Sequence, residues 1–125
     1  MNNQYKHIDL SYLYEMVGSD MPAVIIEMID LFNGQIPEFK QFMCEYLESK
    51  NWIELGKVAH KAKASISIMG MNKLADQLKR LELLSKDGEQ IEIYPTIVEQ
   101  FIDETNKAIV ELDEVAMELR NSLQD

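Results

Sequence analysis

The sequence predicts an all-α fold, an antiparallel four-helix bundle with a short extra N-terminal helix. Apolar residues recur three and four positions apart through nearly the whole chain, the period of helices with one buried face. Capping and stop residues separate these stretches by short connections, which favours antiparallel neighbours. Strand signals are poor: only Ile91 to Tyr94 alternates, and that run is too short and isolated to build a sheet. The 125 residues suit one domain, 1–125, large enough to bury a core without staples. No internal repeat or low-complexity linker divides it.

Asp9 is placed to cap a first short helix carrying Leu10, Leu13, Tyr14 and Val17, ended by Gly18. Ser19 or Asp20 caps the second, and Pro22 falls in its first turn, where a missing N–H costs little. Its apolar stripe runs through Ile25, Met28, Ile29, Phe32, Ile36, Phe39, Met43, Tyr46 and Leu47, keeping phase across Gly34 and Pro37. One long helix bent near Pro37 is expected, with two shorter helices as the alternative. Asn51 and Glu54 make a capping-box-like start for the third helix, whose core stripe is Leu55, Val58, Ala59, Ala62, Ile66 and Met69 and which Gly70 closes. Asn72 caps the fourth, with Leu74, Leu78 and Leu81 on its core face, Leu84 at the margin and Gly88 as the stop. The last begins near Pro95 and carries Val98, Phe101, Thr105, Ala108, Leu112, Val115, Leu119 and Leu123 along one side. It should span about 28 residues, roughly 42 Å at 1.5 Å per residue.

Composition narrows the function. No run approaches the roughly 18 apolar residues of a membrane span, and the N-terminus has no apolar core typical of a signal peptide. A cytoplasmic, monomeric protein is expected, free-standing because it starts at Met1 with a full set of helices. Cys44 is the only cysteine, which excludes an intrachain disulfide and a cysteine-based zinc site; it is expected to fill the core, as are the methionines and aromatics. His7 and His60 are far apart with no ligand pair at turn spacing, so neither metal nor cofactor is expected. Nor is there a nucleotide-cradling glycine loop or a pair of carboxylates in a pocket, which argues against an enzyme.

His60 is the residue with a chemical future. On a helix its neighbours are Gly56, Lys57, Lys63, Ala64 and Ser67, none with a bulky apolar side chain. Gly56 costs a helix roughly 1 kcal/mol relative to alanine, and with Ala64 and Ser67 it leaves the ring protruding. Free imidazole, with a pKa near 6.5, is substantially neutral at cellular pH and keeps one ring nitrogen free to attack phosphorus. On the following helix Ala75, Lys79, Glu82 and Lys86 form a stripe that could flank the ring. Ser65 reads as a packing or backbone-bonding residue, and His7, in a polar segment, as incidental.

His60, Lys63, Ala64, Ser65, Gly70, Leu74, Leu81 and Glu82 together resemble the signature of histidine-containing phosphotransfer (HPt) domains, and the helical pattern follows that family's layout over nearly the whole chain. Two positions depart from it: the family usually has a larger aliphatic residue at Ala62 and glycine at Ala64. The resemblance implies phosphorylation of His60 at Nε2, Lys63 offering charge to the phosphoryl oxygens, and Glu82 bonding or orienting the imidazole. It implies as partners the receiver domains of hybrid histidine kinases and response regulators, whose aspartate and Mg²⁺ supply the remaining catalytic apparatus. A helical adaptor that binds such a partner without carrying phosphate is the competing expectation.

Charge supports an acidic partner. Between Lys50 and Lys86 lie eight basic residues against three acidic ones, in a chain whose net charge is −10. Lys57, Lys61, Lys63, Lys79 and Lys86 are thereby concentrated near His60, and such segregation steers an acidic surface to one face. Nucleic acid is a poor partner for so negative a molecule without a basic stripe interleaved with aromatics.

Overall fold

In a computed structural model that describes residues 5–124, five α-helices and one 3₁₀ turn pack against one another, with no strand among the described residues. The helices are α1 (Ser11–Val17), α2 (Pro22–Ser49), α3 (Trp52–Ile68), α4 (Asn72–Asp87) and α5 (Tyr94–Gln124), the 3₁₀ turn Ile91–Ile93 preceding α5. No helix is long and apolar enough to cross a membrane among the described residues. α3 packs on α4, α2 on α5 and α3, and α4 also on α5. Their facing stripes make one core: Ile29, Phe32 and Ile36 from α2, Leu55, Ala62 and Ile66 from α3, Leu78 and Leu81 from α4, Phe101 and Leu112 from α5.

α2 is a single helix with Pro37 inside it, so the expected long helix forms and the alternative of two shorter helices does not hold. The polar links on its outer edge run antiparallel to α5: Asp30 with Arg120, Asn33 with Asp113, and Lys40 with Asn106. At the starts of α1, α2 and α4 the expected caps differ from those observed. Met21 precedes α2, its carbonyl accepting from Val24 and Ile25; Ser19 and Asp20 stay in the turn, where the Asp20 carboxylate lies beside Gly18 instead of over the first helical amides. Leu10 stands at the cap of α1, and Asp9 takes the Ser11 amide from one residue earlier. Met71, not Asn72, caps α4.

That last shift follows from how α3 ends. Gly70, at φ +78°, donates to Ser67 O, and Met71 donates to Ile66 O. These are the paired closing bonds of a Schellman motif. Met71 O then accepts from Ala75, so α4 starts one residue before Asn72 can act. Lys50 and Gly88 close α2 and α4 in the same way.

Several apolar expectations also fail: Met16, Met21, Met117, Tyr12 and Phe42 are exposed and do not fill the core. Cys44 is exposed, because the buried stripe passes through Met43 and the next position turns some 100° away. Leu123 is 53% exposed; the buried part of α5 ends at Val115 and Ala116, and the last turn outruns the core.

The N-terminal segment is stitched down by a carboxylate. Glu111 accepts from the Lys6, His7 and Ile8 amides and pairs with His7 Nδ1 at 3.0 Å. Burial raises the Glu111 pKa, but the hydrogen bonds from the His7 ring and the His7 and Lys6 amides, with His7 charge, outweigh it and hold the carboxyl below its ordinary value. Further along, the Asp9 amide donates to Met69 O at 3.0 Å, and Asp9 lies so close to Gly70 that a Cβ there would overlap its carbonyl.

Ile66→Ala should cost about 2–5 kcal/mol, because Ile66 is fully buried, whereas Ala64→Leu, on an exposed position, should leave stability nearly unchanged. Denaturant titration decides between these, and the reverse order would mean the helical phase is wrong. Glu111→Ala should raise hydrogen exchange at the Lys6, His7 and Ile8 amides. Since folding lowers this carboxyl's pKa, its stabilisation is full above the unfolded value of about 4.3 and is lost as pH falls toward and through the folded value. The variant should therefore lose less stability than the parent over that acid range in a pH-dependent unfolding series.

Candidate functional site

α3 and α4 position the site. Asn51 Oδ1 accepts from the Glu54 amide at 3.4 Å and starts α3. Glu54 turns its own carboxylate to Lys57 Nζ at 3.1 Å, and the Asn51 amide goes to Tyr46 O, so half of the expected capping box forms. At the far end the Gly70 turn sends the chain back alongside α3. Residues rising in number on α3 then meet residues falling in number on α4: Gly56 faces Ser85, while His60 and Lys63 face Glu82.

Glu82 joins the two. His60 Nδ1 lies 3.0 Å from Glu82 Oε2 and Lys63 Nζ lies 3.0 Å from Oε1, so each carboxylate oxygen has one partner. The side chains differ in access: His60 is 64% exposed, Lys63 28% and Glu82 15%. Burial raises the Glu82 pKa; hydrogen bonds from Lys63 and His60, followed by their charges, outweigh it and hold the carboxyl below its ordinary range. An ionised carboxylate only accepts hydrogen bonds. The imidazole must therefore donate from Nδ1, and in the neutral ring Nε2 keeps its lone pair.

On one side of His60 a groove of about 430 Å³ between α3 and α4 is lined by Ile53, Gly56, Lys57, Lys61, Glu82 and Lys86 together with the histidine. On the other, Ala64 and Ser67 border a cleft of about 550 Å³ whose far wall is Ser11, Tyr12 and Glu15. Lys79 is exposed on α4 and lines neither. Gly56 is buried against α4, which corrects its expected place on an open face. Ala75 likewise belongs to the core and does not flank the ring. Ala62 is fully buried and Ala64 exposed. Ser65 Oγ donates to Gln35 Oε1 on α2 at 2.9 Å, a packing role.

Sequence reasoning passed over two features. Ile53, 54% exposed, is the large apolar side chain at the groove; it falls one turn before Lys57 and was legible from spacing alone. The His7–Glu111 pair joins residues 104 apart and has no local signal. Among the described residues no group of three or more His, Cys, Asp or Glu could hold a metal ion. Comparison of the chain with protein-family models, curated proteins and solved structures found no match in any of the three.

Glu82→Ala should release the imidazole. In ¹⁵N spectra of the ring above its titration, the parent is expected to show the Nδ1–H tautomer and the variant a shift toward the Nε2–H form that free histidine favours. An unchanged ring spectrum would mean that Glu82 does not select the tautomer.

Proposed function

We propose that this protein is a cytoplasmic phosphoryl carrier of the HPt kind, an antiparallel four-helix bundle with one added N-terminal helix. His60 would accept phosphate from a receiver-domain aspartate and pass it to a second receiver. The observation that carries this reading is the Nδ1 contact to Glu82, which leaves Nε2 as the free nucleophilic nitrogen on an exposed ring.

In the proposed step the Nε2 lone pair attacks phosphorus of the partner's aspartyl phosphate. An N–P bond forms as the P–O bond to the aspartate breaks, and the aspartate leaves as a carboxylate. The proton on Nδ1 stays where it is, so the ring becomes cationic beside the Glu82 carboxylate, which compensates that charge. Lys63, one turn along, is within the same cluster and can lend its cation to the equatorial oxygens of a loose transition state. Onward transfer reverses the bonds. No deprotonating triad is needed, and the remaining catalytic groups belong to the partner, so the protein is a carrier more than an enzyme.

The surroundings favour an acidic partner. Lys61, Lys79 and Lys86 are exposed and form no ion pair among the described residues, and the Ile53, Lys57 and Lys86 side together with the Ala64 and Ser67 side gives a receiver two edges to dock against. His7 provides an internal contrast. Its Nδ1 also lies 3.0 Å from a carboxylate, but its side chain is only 30% exposed, and its cleft mixes Glu111, Glu114 and Glu118 with Lys6 and Lys107.

Incubation with phosphorylated receiver domains should place acid-labile, base-stable phosphate on the protein. His60→Gln should abolish this while leaving the fold intact, and His7→Gln should keep it. Transfer that survives in folded His60→Gln would sink the carrier reading, and partner binding without any phosphate uptake by the parent would leave a helical adaptor.

A further inference from the structure

The helix carrying His60 has a glycine at the point where it crosses α4. A Cβ built on Gly56 would overlap Ser85 Oγ, while Ser85 Cβ and Glu82 O would each stand 3.5 Å away, ordinary contact distances. Both partners are hidden from solvent, Gly56 as a buried residue of α3 and Ser85 at 1% exposure. Ser85 Oγ is further tied to Glu82 O at 3.1 Å. The crossing thus joins the residue one turn before His60 to the backbone of the residue that holds the imidazole.

We propose that Gly56 is a positioning residue for His60: with no Cβ to meet Ser85, it lets α3 and α4 approach to the separation at which the Glu82 carboxylate meets Nδ1. Interaxial distances depend on the side chains at the crossing, and a hydrogen bond at 3.0 Å weakens steeply with small displacements or misalignment. A methyl group at position 56 must either push α4 outward or turn Ser85 Oγ off its carbonyl. Outward movement of α4 carries Glu82 away from Nδ1, whereas rotation of the hydroxyl alone leaves the Glu82 carboxylate in place. Helix propensity acts in the opposite sense, because alanine is a better helix former than glycine by roughly 1 kcal/mol. Damage from Gly56→Ala would therefore come from the crossing and not from a weaker α3.

The clash involves the hydroxyl alone, and that makes the contact testable by rescue. Ring ¹⁵N spectra and rates of phosphate uptake should be measured on the full chain for the parent, Gly56→Ala, Ser85→Ala and the double variant. Gly56→Ala should lose the Nδ1–H tautomer and take up phosphate about tenfold more slowly, the size of effect a charge-assisted hydrogen bond can supply. Ser85→Ala should resemble the parent, and the double variant should recover both the tautomer and the rate, since Cβ meets Cβ there at 3.5 Å. Should Gly56→Ala fail to fold, Ser85→Cys puts a larger atom on the same branch against Gly56 from the α4 side and should give the same losses. A parent-like tautomer in folded Gly56→Ala, or a double variant as impaired as the single one, overturns the inference. The rate readout rests on the carrier reading, but the tautomer readout does not: a parent that takes up no phosphate defeats that reading, while the spectra still decide the positioning role.

Discussion

Two helices can share one functional carboxylate only if the chain reverses tightly between them, and here that reversal depends on Gly70. Its left-handed backbone lets the Gly70 and Met71 amides satisfy carbonyls at the end of α3, and α4 begins at once. Because the connection has no slack, the register between α3 and α4 is settled at the turn and propagates along both helices. Lys63, His60 and Gly56 then fall opposite Glu82 and Ser85 in order. The same glycine makes room for Asp9, so the N-terminal segment is seated at this turn too.

Glu82 and Glu111 show one kind of interaction used for two ends. Each is a largely shielded carboxylate held in its charged form by donors that outweigh the cost of burial. Glu111 spends its oxygens on three backbone amides and an imidazole, which makes it a clasp for the chain end. Glu82 meets only side chains, from two positions one turn apart on α3. A clasp needs closed geometry around it. A group that is to tune an exposed ring needs one open side, and the 64% exposure of His60 provides it.

Much of this was legible in the sequence. The helical periods placed the core faces of α3 and α4 correctly, and the turn spacing of Lys63 with respect to His60 put both on the side that meets Glu82. Caps were read less well. Asp20 and Asn72 have the right chemistry, but tight backbone closures at Gly18 and Gly70 decide where the next helix begins, and side-chain type does not encode that decision. Gly56 was misplaced for a related reason: a residue without a side chain leaves no mark in an apolar pattern, so its burial against Ser85 is set by the partner helix. Cys44 illustrates the converse, an apolar residue beside the stripe instead of on it. The Glu111 clasp joins the two extremes of the chain and could be found only once the fold had brought them together.

The only tryptophan of the chain, Trp52, stands at the first turn of α3 with its ring edge-on to Tyr94 at 5.3 Å between centroids. Tyr94 opens α5 and bonds the Glu89 carbonyl just past the end of α4. The indole thus lies where three helix ends converge, two turns from His60 on the same helix. Any rearrangement that tilts α3 relative to α5 changes the environment of that ring. The molecule carries a native fluorophore whose emission reports on the helix that carries His60, with no label and no competing indole.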